Sequence, residues 1–161
     1  MNIASQLNDN FIQLCTFELS GRTYAVDVLS VREVNPEVAL TPVPHTAPAV
    51  RGLVNVRGQV FLILDLMQGG SDILPSTRIV LFKERIGPTF GILVDKVGDI
   101  ITVRPDQMLD ITAGEDDGVE QGSELPALGV VKLEKRLVIV LDPTRIIAMA
   151  RQSRKQLKAA S

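Results

Sequence analysis

The chain has 161 residues, 45 % of them hydrophobic and 22 % charged, enough for one ordinary core or for two small ones that share it. Its formal net charge of −2 gives no overall positive field to hold nucleic acid or an anionic membrane, so no nucleic-acid partner is expected. Aromatics make up 4 % with no Trp, and there is 1 His and 1 Cys, so Val, Ile and Leu must fill the core and a typical zinc site is excluded.

Met1–Asn10 has no basic stretch followed by an apolar one, and it reads as a flexible N-terminus (1–10) and not as a signal peptide. No run reaches the ~18 apolar residues of a membrane span. With a single thiol, Cys15, inside the apolar run Phe11–Phe17, this predicts a cytoplasmic protein without direct membrane insertion and a buried strand cysteine. Phe11–Leu19 alternates loosely, and Ser20-Gly21-Arg22 signals a turn before a strand over Thr23–Val28. Val28–Val34 is expected to form one or two helical turns. Prolines at 36, 42, 44 and 48 then forbid a long helix and predict an extended loop, which carries His45.

Leu53–Val56 and Val60–Leu64 flank Arg57-Gly58-Gln59, a hairpin with Gly58 available for a positive φ. Val60–Leu64 is apolar on both faces and predicts a strand buried on both sides. Asp65 stops it, and Gly69-Gly70 opens a flexible crossing. Ile79–Phe82, Thr89–Val94 and Ile100–Val103 read as further strands, and Leu137–Leu141 as a second fully buried one. Ala113–Glu124 reads as a solvated acidic loop. Its Glu115-Asp116-Asp117-Gly118 lacks the alternating ligands and closing Glu of a calcium loop. Asp142-Pro143 is an N-cap followed by a first-turn proline. The helix after it presents Ile146, Ile147, Ala150 and Leu157 on one face, with Arg151, Arg154, Lys155 and Lys158 toward its C-terminal end.

The chain repeats internally. Shifted by 66 positions, Thr23–Val26 lies over Thr89–Ile92, Val28 over Val94, Val31 over Val97, Glu33 over Asp99 and Val34 over Ile100. Shifted by 77, Gly52-Leu53-Val54 lies over Gly129-Val130-Val131 and Val60–Asp65 over Leu137–Asp142. The offsets differ by 11, which an insertion at the acidic loop accounts for. A duplication of this kind predicts two small barrels meeting along a seam, where equivalent residues from both halves face a groove.

Convergent reactive groups are missing. One histidine builds no Ser/His/Asp or Cys/His constellation, no phosphate-cradling glycine loop is present, and the spacing picks out no carboxylate pair. Catalytic residues, metal ligands and cofactors are therefore all read as none, and the chain as a non-enzymatic adaptor.

Val31-Arg32-Glu33-Val34, Arg51-Gly52-Leu53-Val54-Asn55-Val56-Arg57-Gly58 and Ile63-Leu64-Asp65-Leu66 resemble the CheW family, the coupling proteins of bacterial chemosensory arrays. Gly91–Val97 with Asp99-Ile100, and Ala127-Leu128-Gly129 leading to Leu137–Leu141, agree with the same pattern. Phe61-Leu62-Ile63 departs from it, because many members carry a proline there. The resemblance covers nearly all of Phe11–Ala148. It implies a mainly β fold of two SH3-like five-stranded β-barrel subdomains with short helical turns and a C-terminal helix. These subdomains intertwine as one domain over 11–150, and 151–161 form the helix end and tail.

The function it implies is coupling the cytoplasmic tip of chemoreceptors to the regulatory domain of a CheA-type histidine kinase. Recruitment to membrane-associated receptor arrays would follow. Two alternatives stay open: a related scaffold of a twitching or other chemosensory pathway, and a small-molecule-binding or catalytic barrel with a pocket of convergent polar groups. At residue level, Arg57 is either a solvated turn residue or an orienting guanidinium paired with Glu33 beside the receptor-facing surface. Asn55 and Gly58 serve the hairpin backbone, and Gly52 a close backbone approach. Val31, Val97 and Ile100 are either core or the lining of a seam groove for an apolar helical hairpin, with Ile79 and Val80 near the same groove.

Overall fold

Eleven strands in two sheets account for most of the computed structural model, which describes residues 11–36, 39–44, 48–67, 72–84, 89–110 and 125–149. The strands are β1 (Ile12–Leu19), β2 (Arg22–Asp27), β3 (Val31–Asn35), β4 (Val50–Val56), β5 (Gln59–Leu64) and β6 (Arg78–Phe82). They continue as β7 (Phe90–Val94), β8 (Lys96–Val103), β9 (Met108–Asp110), β10 (Ala127–Lys132) and β11 (Leu137–Leu141), and a short helix α1 spans 143–149. The expectations for 1–10, His45, the acidic loop and the basic C-terminal residues lie outside the described residues.

Alternating apolar residues and turn chemistry explain the strands. Ser20-Gly21 and Arg57-Gly58 both have two consecutive positive φ angles, 49°/78° and 51°/86°, between closing pairs Leu19↔Arg22 and Val56↔Gln59. Two central residues with φ > 0 make the two-residue turn whose twist matches that of the flanking strands. Asn55 Oδ1 accepts the Gly58 N–H at 2.9 Å, which fixes the second turn from below.

The sheets have the orders β3-β6-β7-β5-β4 and β8-β1-β2-β11-β10-β9. Matching β1 to β6, β2 to β7, β3 to β8, β4 to β10 and β5 to β11 turns the first order into the first five strands of the second. Each half of the chain therefore lends its opening hairpin to the sheet of the other half. The correspondence holds at single-residue register. Parallel β5 and β7 pair Leu62↔Phe90 and Ile63↔Gly91, and parallel β11 and β2 pair Ile139↔Tyr24 and Val140↔Ala25, the same positions at offsets 77 and 66.

Equivalent contacts follow. Phe17 stacks on Tyr24 at 6.2 Å between centroids, and Phe82 on Phe90 at 4.8 Å. A methyl group on Gly52 would lie 2.6 Å from the Thr41 carbonyl oxygen, and one on Gly129 2.6 Å from that of Leu109. Asp65 N–H donates to the Ala49 carbonyl at 2.7 Å and Asp142 N–H to that of Pro126 at 3.0 Å. Each Asp also accepts, through Oδ1, from the amide two residues on, Met67 at 3.0 Å and Thr144 at 3.1 Å. Because Thr41 matches Leu109 at an offset of 68, most of the 11-residue excess arises between Leu109 and Ala127.

Three cores result. Leu14, Ala25, Val103, Val131, Val138 and Val140 fill one sheet's interior, and Val54, Val56, Phe61, Ile63, Ile79, Leu81 and Leu93 the other's. Between them, a seam core draws Cys15, Phe17, Tyr24 and Leu141 from one sheet and Leu64, Val80, Phe82, Phe90 and Ile92 from the other. Ile146 and Ile147 of α1 close its end.

The fold class is as expected, mainly β with two small barrel-like sheets, but each sheet is curled with open edges and the second has six strands. Helical turns over Val28–Val34 are confined to a 3₁₀ turn at Val28–Ser30, capped by the Asp27 carboxylate, and Val31–Asn35 is a strand because its backbone pairs with β6. The matching stretch from Lys96 onward belongs to β8 for the same reason, since it pairs with β1. Val60 and Leu137 are 49 % and 59 % exposed, so neither strand is buried on both faces throughout. Both lie at the hairpin end of their strands, within the first two residues.

Candidate functional site

The two edges of the five-stranded sheet are β3 and β4, and no backbone ladder joins them. Side chains do so instead. At the tip of the β4–β5 hairpin, Arg57 Nη2 donates to Glu33 Oε1 on β3. Arg32 Nη1 donates to Gln59 Oε1, and Gln59 Nε2 donates to Glu84 Oε1 at 2.6 Å. The Arg32 guanidinium also lies 5.3 Å from the centroid of the Phe61 ring, a cation–π contact on a fully buried aromatic.

Neighbouring strand residues normally face opposite ways, yet Arg32 and Glu33 both reach the hairpin. The pairing of β3 with β6 shifts register between Val31↔Phe82 and Glu33↔Leu81, which leaves Arg32 as the extra residue of a bulge. A bulge re-aims side chains in this way. The Glu33–Arg57 pair expected from the sequence is thus present, with the Arg57 side chain 69 % exposed and Glu33 24 % exposed. Its worth as a surface pair is below about 1 kcal/mol, so it acts chiefly on orientation.

The corresponding place in the second barrel looks different. The β8–β1 register shifts between Phe17↔Val97 and Cys15↔Ile100, so the bulge is repeated at Gly98-Asp99. There, Thr16 Oγ1 donates to the Asp99 carbonyl at 2.5 Å, and a methyl group on residue 98 would lie 2.6 Å from that hydroxyl. Position 98 therefore excludes a side chain. Arg32, Glu33, Arg57 and Gln59 are matched by Gly98, Asp99, Glu134 and Arg136, which cannot form the same ties. A cavity of about 320 Å³, with Thr16, Gly98, Asp99 and Arg136 among its lining, occupies this region.

Val31 and Val97 are each partly buried against the seam core, one on each sheet's edge strand, and Ile100 is 59 % exposed on β8. Ile79 and Val80 do not belong to any surface. Both are fully buried in the interior strand β6, paired to β3 and β7, and they point into the barrel and seam cores respectively. Their place near the groove is corrected to support beneath it. Gly52 makes the close backbone approach expected of it, to Thr41 across the Thr41↔Leu53 bridge.

One polar feature of the rim escaped the sequence reading: the Arg32–Gln59–Glu84 chain, whose only sequence signal was a cation beside the motif glutamate. A second polar feature lies at the root of β4. The Asp65 carboxylate, 4 % exposed, pairs with Arg51 Nη1 at 3.1 Å. Cys15 is a buried free thiol whose pKa is raised by burial, as an inert strand cysteine should be. Among the described residues no group of three or more His, Cys, Asp or Glu side chains is placed to hold a metal ion. No helix of the described residues is long and apolar enough to cross a membrane.

Two interlocked barrel-like sheets carrying a side-chain-tied hairpin rim define the fold class, a paired small-barrel β domain. The chain belongs to the CheW-like family, whose domain model matches residues 13–151. It is 29 % identical over 139 residues to the probable chemotaxis protein CheW of Rhizobium etli, covering 84 % of this chain and 87 % of that one. To the chemotaxis protein CheW of Bacillus subtilis it is 27 % identical over 139 residues, with 84 % and 86 % covered. It is 33 % identical over 84 residues to the protein PilI of Pseudomonas aeruginosa, half of this chain and 47 % of that protein. The fold matches the crystal structure of the scaffolding protein TtCheW from Thermoanaerobacter tengcongensis with a TM-score of 0.69 and 22 % identity, covering 81 % of this chain and 88 % of that one.

Proposed function

We propose that the chain is a cytoplasmic, non-enzymatic coupling adaptor that links the cytoplasmic tips of chemoreceptors to the regulatory domain of a CheA-type histidine kinase. The observation that carries this is family membership over nearly the whole chain, together with chemotaxis relatives of matching length. The shorter match to PilI supports a twitching-type scaffold only over half the chain.

The receptor-facing surface in this reading comprises Glu33 and Arg57 at the hairpin rim, with Val31, Val97 and Ile100 along the seam. Val31 and Val97 occupy equivalent positions on the two edge strands and rest on the one core both sheets share, which favours an apolar partner helix laid along that seam. Gly52, Asn55 and Gly58 hold the hairpin that presents Arg57. The exchange of opening hairpins supports the reading of the two barrels as a single domain over 11–150. Binding of receptor tips to Val31→Asp and Val97→Asp variants tests the surface. Weakened binding with an unchanged fold is expected, and intact binding would remove the seam from the account.

A further inference from the structure

Arg32 touches three other side chains of the rim, two of them on β5. Its guanidinium lies over the Phe61 ring of β5, donates to Gln59 at the start of the same strand, and has its Nε 3.9 Å from the Glu33 Oε1 atom that also accepts from Arg57. Gln59 is tied in turn to Glu84, just past β6. One carboxylate oxygen thus faces two guanidinium groups, and one of those is braced against a buried ring and an anchored amide. The bulge at Arg32 makes this possible by placing Arg32 and Glu33 on the same side.

The second barrel supplies an internal control. It repeats the bulge but carries Gly98 where β3 carries Arg32, and the gap beside it stays open as the cavity of about 320 Å³. With Gly98 at the strap position, no side-chain tie between β8 and the β10–β11 hairpin is present among the described residues.

We infer that Arg32 is a positioning residue, which by bracing Glu33 and strapping β3 to the β4–β5 hairpin holds the exposed Arg57 guanidinium in one orientation. Its functional consequence, though not its geometry, rests on the receptor-facing reading proposed above. A flat guanidinium is required, because stacking on Phe61 and donating sideways to Gln59 at the same time needs a planar fork that an ammonium lacks.

The test uses the full chain and follows hydrogen exchange of the Arg57 Nη2 protons by NMR in wild type, Arg32→Gly, Arg32→Lys and Gln59→Leu. Arg32→Gly copies the residue of the other barrel. Exchange about two- to threefold faster is expected in Arg32→Gly, with a smaller acceleration in Arg32→Lys. Unchanged exchange in Arg32→Gly would overturn the inference. Full restoration by lysine would do so as well, since positive charge alone would then suffice. Should Arg32→Gly unfold, Gln59→Leu leaves β3 and the Phe61 stack in place and gives the same reading: faster exchange supports the strap and unchanged exchange overturns it. In receptor-dependent kinase stimulation, Arg32→Gly should raise the half-maximal concentration of the chain and leave the plateau unchanged. Faster Arg57 exchange with wild-type kinase control would uphold the strap and count against the receptor-facing reading.

Discussion

Glu33 and Arg57, 24 positions apart, tie the edge strand β3 to the tip of the β4–β5 hairpin, where no strand pairing joins β3 to β4. Arg57 makes this contact from the first central position of a turn at φ 51°, a conformation that suits Asn or Gly and costs an arginine about 1 kcal/mol or more. A residue held against its backbone preference at an exposed tip points to the side chain, not the turn, as the reason for its presence.

Replacing Arg57 by Gly should therefore relieve the turn and lose only an exposed pair. The thermal midpoint is expected to stay level or rise by about 2–4 °C, while receptor-dependent kinase stimulation falls away. A lowered midpoint, read by circular dichroism, would make Arg57 a structural residue instead.

Arg51 and Asp65 form the most buried ion pair of the described residues. Arg51→Leu leaves a buried carboxylate without its cation and should cost about 3–5 kcal/mol in urea unfolding. Asp65→Asn keeps a side-chain oxygen for the Met67 amide and should cost less. In the other half, Leu128 and Asp142 occupy the matching positions. There Asp142 caps α1 by accepting from Thr144, so the same stop signal is satisfied without an arginine.

Cys15 predicts an alkaline limb of stability. Burial raises its pKa in the folded chain above the ordinary value of 9.0, so on raising the pH the unfolded chain ionises first. Its contribution is complete well below the unfolded pKa and is lost as pH rises through and beyond it. Val80 holds the matching place in β6, so Cys15→Val should fold normally and show a shallower loss of stability above pH ~9 than wild type. Identical limbs in the two proteins would refute the assignment.

Swapped opening hairpins mean that neither half contains a complete sheet. Fragments 1–69 and 70–161 should each be largely unfolded alone and regain strand circular dichroism when mixed. A fragment that folds by itself would show that the exchange of β1-β2 for β6-β7 is not needed for stability.

Much of this architecture was legible because period-two apolar runs and turn pairs such as Ser20-Gly21 and Arg57-Gly58 act locally. The repeat was legible too, since its two offsets recur in the strand register. The exchange of hairpins was not, because an offset aligns Tyr24 with Phe90 without saying which half's strands lie beside them. Val28–Val34 looked helical from its spacing, but pairing of Val31–Asn35 with β6 decided it. Ile79 and Val80 looked available because a sequence pattern does not reveal that β6 sits between two other strands. Glu33 and Arg57 could be matched because the family motif carries both, whereas the Arg32 strap depends on a bulge, and a bulge becomes visible only when two strands are laid in register.

The central claim is most directly tested by receptor-controlled autophosphorylation of the kinase, measured with receptor-bearing membranes, kinase, and the chain either present or absent. The account predicts that receptors stimulate the kinase only when the chain is added, and that the Arg57→Glu variant, folded to the same extent, fails to restore this control. Equal autophosphorylation with and without the chain, using matched receptors and kinase, would contradict it.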